Sequence, residues 1–152
     1  MEALQDGLSG ASILHIAAHG IADQEEPLRK SFLALAGYGV LDSRFSALEV
    51  LDRDLGGLDL AIMSACQSDL GFQYEQGVIG LARAFYFAGV PSVLMSLWNV
   101  DDAATNLLMT TFHQNLKKSA PPEALRSAVL LTREKYPEPS KWASFSLFGN
   151  SD

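Results

Sequence analysis

The sequence predicts a three-layer α/β sandwich, with helices on both faces of a mostly parallel sheet. Three observations carry this. Residues 12–18 (SILHIAA), 58–64 (LDLAIMS) and 92–97 (SVLMSL) are short, near-continuous apolar runs rather than alternating ones. Strands read that way when both faces are covered. Segments of helical period, with their own start and stop signals, lie between and after these runs. The third observation is composition: 48% apolar and 19% charged over 152 residues, which fits one globular domain spanning 1–152.

Each element has a local reason. Residues 12–18 form the first core strand, closed by His19 and Gly20. Residues 32–41, with Gly37, Tyr38 and Gly39 at the middle, predict a small hairpin. Ser46 and Glu49 make a capping box and open a short helix to about Asp52. Residues 58–64 are the second core strand. Residues 80–88 are helical, stopped by Gly89, and Pro91 blocks continuation. Residues 92–97 are the third core strand. Asp101 and Asp102 supply an N-cap and first-turn negative charge for a helix to about Leu116, with Leu108, Phe112 and Leu116 as its stripe. Ser119, Pro121 and Pro122 open a last helix to about Lys135, with Leu125, Ala128, Val129 and Thr132 on one face. Pro137 and Pro139 end it. Phe145 and Leu147 alternate with Ser146, so 144–148 reads as a final edge strand.

Charge and cysteine usage narrow the function. Eleven Lys and Arg against 18 Asp and Glu give a net charge of −7, which repels phosphate backbones, so no nucleic-acid contact is expected. One cysteine makes no internal disulfide and points to no oxidising compartment. The first residues carry neither a basic nor an apolar stretch, so no signal peptide is read. The longest apolar run, 32–41, is too short to span a bilayer. A cytoplasmic location without membrane contact is expected. Three His and one Cys at unpaired spacing predict no metal. No cofactor is expected, and neither a phosphate loop nor the G-x-S-x-G turn of a serine nucleophile is present in the sequence.

Sites in open parallel sheets form at the carboxyl ends of strands. The first strand leads to His19 and the second to Cys66, so a base and a thiol emerge at one edge. A histidine can take the thiol proton and return it to a leaving amine. Gly20 lets a backbone N–H approach a substrate oxygen. Each residue has a plainer reading: Cys66 as a small core hydrophobe, His19 as a partner for loop carbonyls. His15 is expected to be structural, buried on the same strand face as His19 with a bonded imidazole, and His113 to lie on a helix, at the surface or partly covered. Trp98 and Trp142 read as core, with Trp98 at the edge of the site. Asp101 and Asp102 read as helix caps, or as an acidic wall that would favour Arg or Lys before a cut. Asp69 and Glu75 read as solvated charge.

Four ordered motifs carry a family resemblance. They are His15-Ile-Ala-Ala-His19-Gly20; Ser64-Ala65-Cys66-Gln67-Ser68; Gly77-Val-Ile-Gly-Leu-Ala-Arg83-Ala-Phe85; and Ala88-Gly89 followed by Ser96-Leu97-Trp98-Asn99-Val100-Asp101-Asp102. Together with a closing Trp142-Ala143-Ser144-Phe145, they resemble the CHAT domain, a caspase-like module associated with tetratricopeptide repeats and related to separases and caspases. The resemblance covers about residues 13 to 149. The His-to-Cys separation, 66 − 19 = 47, is close to the ~50 of caspases. The resemblance implies a caspase-like fold and a cysteine endopeptidase. His19 matches the catalytic His and Cys66 the nucleophile, with the Gly20 and Cys66 N–H groups as oxyanion hole. Asp101, Asp102 and Trp98 would contact substrate. Its partners would be a protein or peptide substrate and a regulatory repeat region or partner chain.

Two departures stand out. Gln67 occupies a position that is commonly acidic. The caspase-like sheet also begins with an upstream strand and helix, expected to be missing here, with that strand lying between the His-bearing and Cys-bearing strands. The chain then reads as the carboxyl portion of the domain, its exposed sheet edge covered by an upstream part of a parent protein, by self-association of two copies, or by direct pairing of the His-bearing and Cys-bearing strands. The other function class is a catalytically inactive protein-interaction module on the same fold.

Overall fold

The structure is a computed structural model that describes residues 8, 10–21, 23, 25–35, 44–64, 74–98 and 101–149. For His19 it describes the backbone. The main sheet has strands β1 (Ile13–Ile16), β5 (Leu60–Met63), β6 (Ser92–Ser96) and β7 (Phe145–Gly149), in that spatial order. β1, β5 and β6 run parallel, and β7 returns antiparallel along β6. A second sheet of three short antiparallel strands holds β2 (His19–Ile21), β3 (Phe32–Ala34) and β4 (Arg44–Ser46), with β3 central. The helices are α1 (Pro27–Lys30), α2 (Ala47–Leu51), α3 (Tyr74–Phe87), α4 (Asp102–Leu116) and α5 (Pro121–Lys135).

Every residue of β5 and β6 is buried, which is why these strands are predominantly apolar rather than alternating. The strand period of two sends alternate side chains to opposite layers. Ala61, Met63, Val93 and Met95 pack with Leu81, Phe85 of α3 and Val50 of α2, together with Leu33 and Phe45 of the small sheet. Leu60, Ile62 and Leu94 face the other way, onto Leu108 and Phe112 of α4 and Ala124 and Ala128 of α5. The predicted layers are therefore present, and the fold is the caspase-like α/β sandwich.

Local signals act where the sequence puts them. Ser46 Oγ accepts from the Glu49 N–H and Glu49 Oε2 accepts from the Ser46 N–H, a reciprocal capping box. The Asp101 carboxylate caps α4 through the Ala104 N–H at 3.0 Å. After α3 the chain turns at Gly89, whose φ of +105° lies where side chains are disfavoured.

Two expectations are corrected. The first apolar run is not one strand to Ala18. β1 stops at Ile16, and His19 begins β2, antiparallel to β3 in the other sheet. A near-continuous apolar run does not mark where a chain leaves one sheet for another. The hairpin predicted at 32–41 has its first arm at β3, but its second arm is β4, beyond the predicted end; residues 36–43 lie outside the described residues. The His-side and Cys-side strands are direct neighbours in the main sheet. β1 pairs directly with β5, Ile13 opposite Leu60 through Ile16 opposite Met63. Hydrogen-bonded neighbours sit about 4.8 Å apart, which leaves no room for another strand.

Candidate active site

The site edge is set by the last rungs of the parallel sheet. Ile16 faces Met63, and the Ser64 N–H donates to the Ile16 carbonyl at 3.1 Å. From this rung the first chain turns through Ala17 and Ala18 into β2. His19 stands opposite Ala34, and Gly20, buried, opposite Leu33. The second chain leaves at Ser64. Cys66, two residues on, lies outside the described residues, as do Gln67 and Asp69. His19 and Cys66 are each three positions beyond one of the paired residues Ile16 and Met63 (19 − 16 and 66 − 63).

The end of β6 is tied down by the segment before β7. The Leu97 N–H donates to the Ser144 carbonyl at 2.8 Å. Trp98 is half-buried, and its indole N–H donates to the Ser140 carbonyl at 3.2 Å. Asp101 uses one carboxylate oxygen for its cap and the other for Lys141, at 2.7 Å. The Lys141 ammonium, and after it the Ala104 N–H, hold the Asp101 carboxyl below the usual range. Asp101 correspondingly raises the Lys141 ammonium. Asp102 is exposed in the first turn of α4.

A further cluster escaped the sequence reading. His15 is not buried beside His19. It is exposed on β1, the edge strand. Its Nε2 lies 2.9 Å from Ser64 Oγ, and its Nδ1 lies 3.2 Å from Nε2 of His113 on α4. The ring centroids are 5.2 Å apart, with planes 28° from parallel. Desolvation of the His15 ring in this contact, and after it the His113 charge, lower its pKa below the ordinary histidine value. The two histidines are 98 positions apart, so no sequence spacing announced them. The signal available was alternation: Ile13 and His15 share one face of β1, opposite Leu14 and Ile16.

The doubly covered parallel sheet, with a His-bearing and a Cys-bearing segment issuing from adjacent strands, defines the class as a caspase-like α/β domain. The chain matches the CHAT domain over residues 1–150 and belongs to that family. Among curated proteins it is similar to tetratricopeptide repeat protein 28 of Homo sapiens, 34% identical over 110 residues. The protein of the same name from Mus musculus has the same identity over the same length. Each match covers 69% of this chain and 4% of the relative, so the chain spans a small part of those proteins. Among the described residues, no helix is long and apolar enough to cross a membrane.

Proposed function

We propose that the chain is a caspase-like cysteine endopeptidase domain using a Cys66–His19 dyad. The observation that carries this reading is the direct β1–β5 pairing, from which both residues depart at equal offset. His19 takes the Cys66 thiol proton, the thiolate attacks the scissile carbonyl, and His19 returns the proton to the departing amine. The N–H groups of Gly20 and Cys66 serve the oxyanion. Trp98, Asp101 and Asp102 flank the substrate. A basic substrate side chain reaching Asp101 would compete with Lys141, its present partner, which makes Asp102 the freer of the two carboxylates. The lone cysteine agrees with work in the cytoplasm.

The outer edge of β1 offers a place for a partner strand. The Ser12 carbonyl accepts from Leu60 and the Ile16 carbonyl from Ser64, so the backbone groups of Ile13 and His15 point away from β5. An upstream strand of a longer protein, or a second copy, would pair on that outer edge of β1 rather than inside the sheet. A repeat region is the partner suggested by the name of the relatives. The same name favours the second reading, an inactive interaction module on this fold.

Activity-site labelling separates the two. Iodoacetamide should label Cys66 rapidly near neutral pH, and the rate should fall in His19→Ala, because the thiolate is the nucleophile. Cleavage of a peptide library should fall by several orders of magnitude in Cys66→Ala or His19→Ala. Cleavage that persists in Cys66→Ala removes the peptidase assignment. Sluggish labelling that is indifferent to His19 selects the interaction module.

A further inference from the structure

The peptidase chemistry leaves the His15–His113–Ser64 cluster unused. We propose that His15 and His113 form a binding site for a borderline divalent metal ion of the Zn(II) class, ligated by Nδ1 of His15 and Nε2 of His113.

Geometry carries the proposal. Imidazole nitrogens lie about 2.0–2.1 Å from zinc, and a tetrahedral angle then separates two of them by about 3.4 Å. The observed separation is 3.2 Å. With each ring centroid about 1.1 Å behind its nitrogen, two rings aimed at one such ion have centroids roughly 5.2 Å apart. The observed value is 5.2 Å. The contact is nitrogen to nitrogen, and turning each ring by roughly 35° converges the two lone pairs on one ion of tetrahedral geometry.

The surroundings suit ligation. Ligating histidines usually donate their second N–H to a fixed acceptor, which sets tautomer and orientation. Ser64 Oγ stands 2.9 Å from the second nitrogen of His15, and the Ser64 backbone is held by the last rung of the sheet. His113 follows Phe112, which is fully buried under α4, so both ligands sit on elements fixed by the core. His15 is exposed at the sheet edge, which gives an ion access. In the ligating form each neutral ring carries its one N–H on the far nitrogen, so the proton in the His15–His113 contact moves, by exchange with solvent, to the far nitrogen of its own ring and both facing lone pairs are left for the ion. Among the described residues no cluster of three His, Cys, Asp or Glu forms. Two positions on the ion are thus left for water or an exogenous ligand. Imidazole donors suit zinc, copper and nickel over magnesium or calcium.

The test is Zn(II) titration of the full chain against a chromophoric chelator, run in wild type and in Cys66→Ala. One equivalent should bind in both. His15→Gln and His113→Gln, which keep a polar side chain of similar reach, should each weaken binding at least tenfold. Ser64→Ala should weaken it by about tenfold, as loss of an outer hydrogen bond does. Denaturant unfolding checks that each variant is folded; a variant that fails is replaced by the corresponding Asn. Zinc uptake no better than that of the His15→Gln/His113→Gln double variant overturns the site. So does uptake that vanishes in Cys66→Ala while surviving in His113→Gln. Neither outcome bears on peptidase activity, so the two readings stand or fall separately.

Discussion

Gly89 joins α3 to β6 and so sets the third core strand, and Gly89→Ala tests how. Two costs arise. At φ +105° a Cβ is strained, by roughly 1–2 kcal/mol. The Cβ would also lie 2.9 Å from both Cα and N of Gly56. That neighbour is backbone and cannot rotate away. It is fixed by the Leu55 N–H donating to the Ala88 carbonyl at 2.8 Å and the Leu58 N–H to the Leu55 carbonyl at 2.9 Å. Forcing such a contact in a packed region costs about 1–3 kcal/mol. Against this, alanine restricts the unfolded chain and returns about 0.4–1 kcal/mol. The net loss is about 3 kcal/mol, and for a chain of this length that lowers Tm by roughly 6–12 °C. Calorimetry or thermal circular dichroism reads it directly, with urea unfolding as a second measure. A shift below about 2 °C would refute the reasoning, because it would mean that the α3–β6 turn relaxes without cost.

Two other outcomes follow from the capping geometry. Ser46→Ala removes the side-chain half of the capping box on α2 and should cost about 1 kcal/mol in urea unfolding; no measurable change would show that Glu49 alone holds that helix end. Asp101 has a folded pKa below its ordinary value of 3.8, through Lys141 first and the Ala104 N–H second. Its stabilisation is therefore full above that value and is lost as pH falls through the lowered one. Asp101→Asn keeps a capping oxygen but not the charge, so the stability gap between wild type and variant should narrow from about pH 5 to about pH 2. A gap that widens on acidification contradicts the pairing.

Much of the fold was legible in the sequence because its signals act over a few residues. The Ser46–Glu49 box, the Asp101 cap and the Pro121 start fall where the pattern placed them, and α4 and α5 have the predicted extents. The apolar runs of β5 and β6 report burial on both faces, which is what a central parallel strand requires. The ordered motifs around His15, Cys66, Gly77 and Trp98 were sufficient for the family.

What stayed hidden depends on which chain segments meet. Residues 12–18 are mostly apolar, and nothing local shows that the strand ends at Ile16 and that His19 belongs to a second sheet with β3. The neighbour of β1 is likewise chosen by burial of Leu14 and Ile16 against the layer of α3, not by any residue of β1 itself. The His15–His113 pair is the sharpest case. Each histidine alone reads as an isolated polar residue on its element. They meet because β1 alternation turns His15 toward the α4 layer, while Phe112 anchors the turn of α4 that carries His113. Periodicity fixes the face a residue occupies; only packing fixes what it faces.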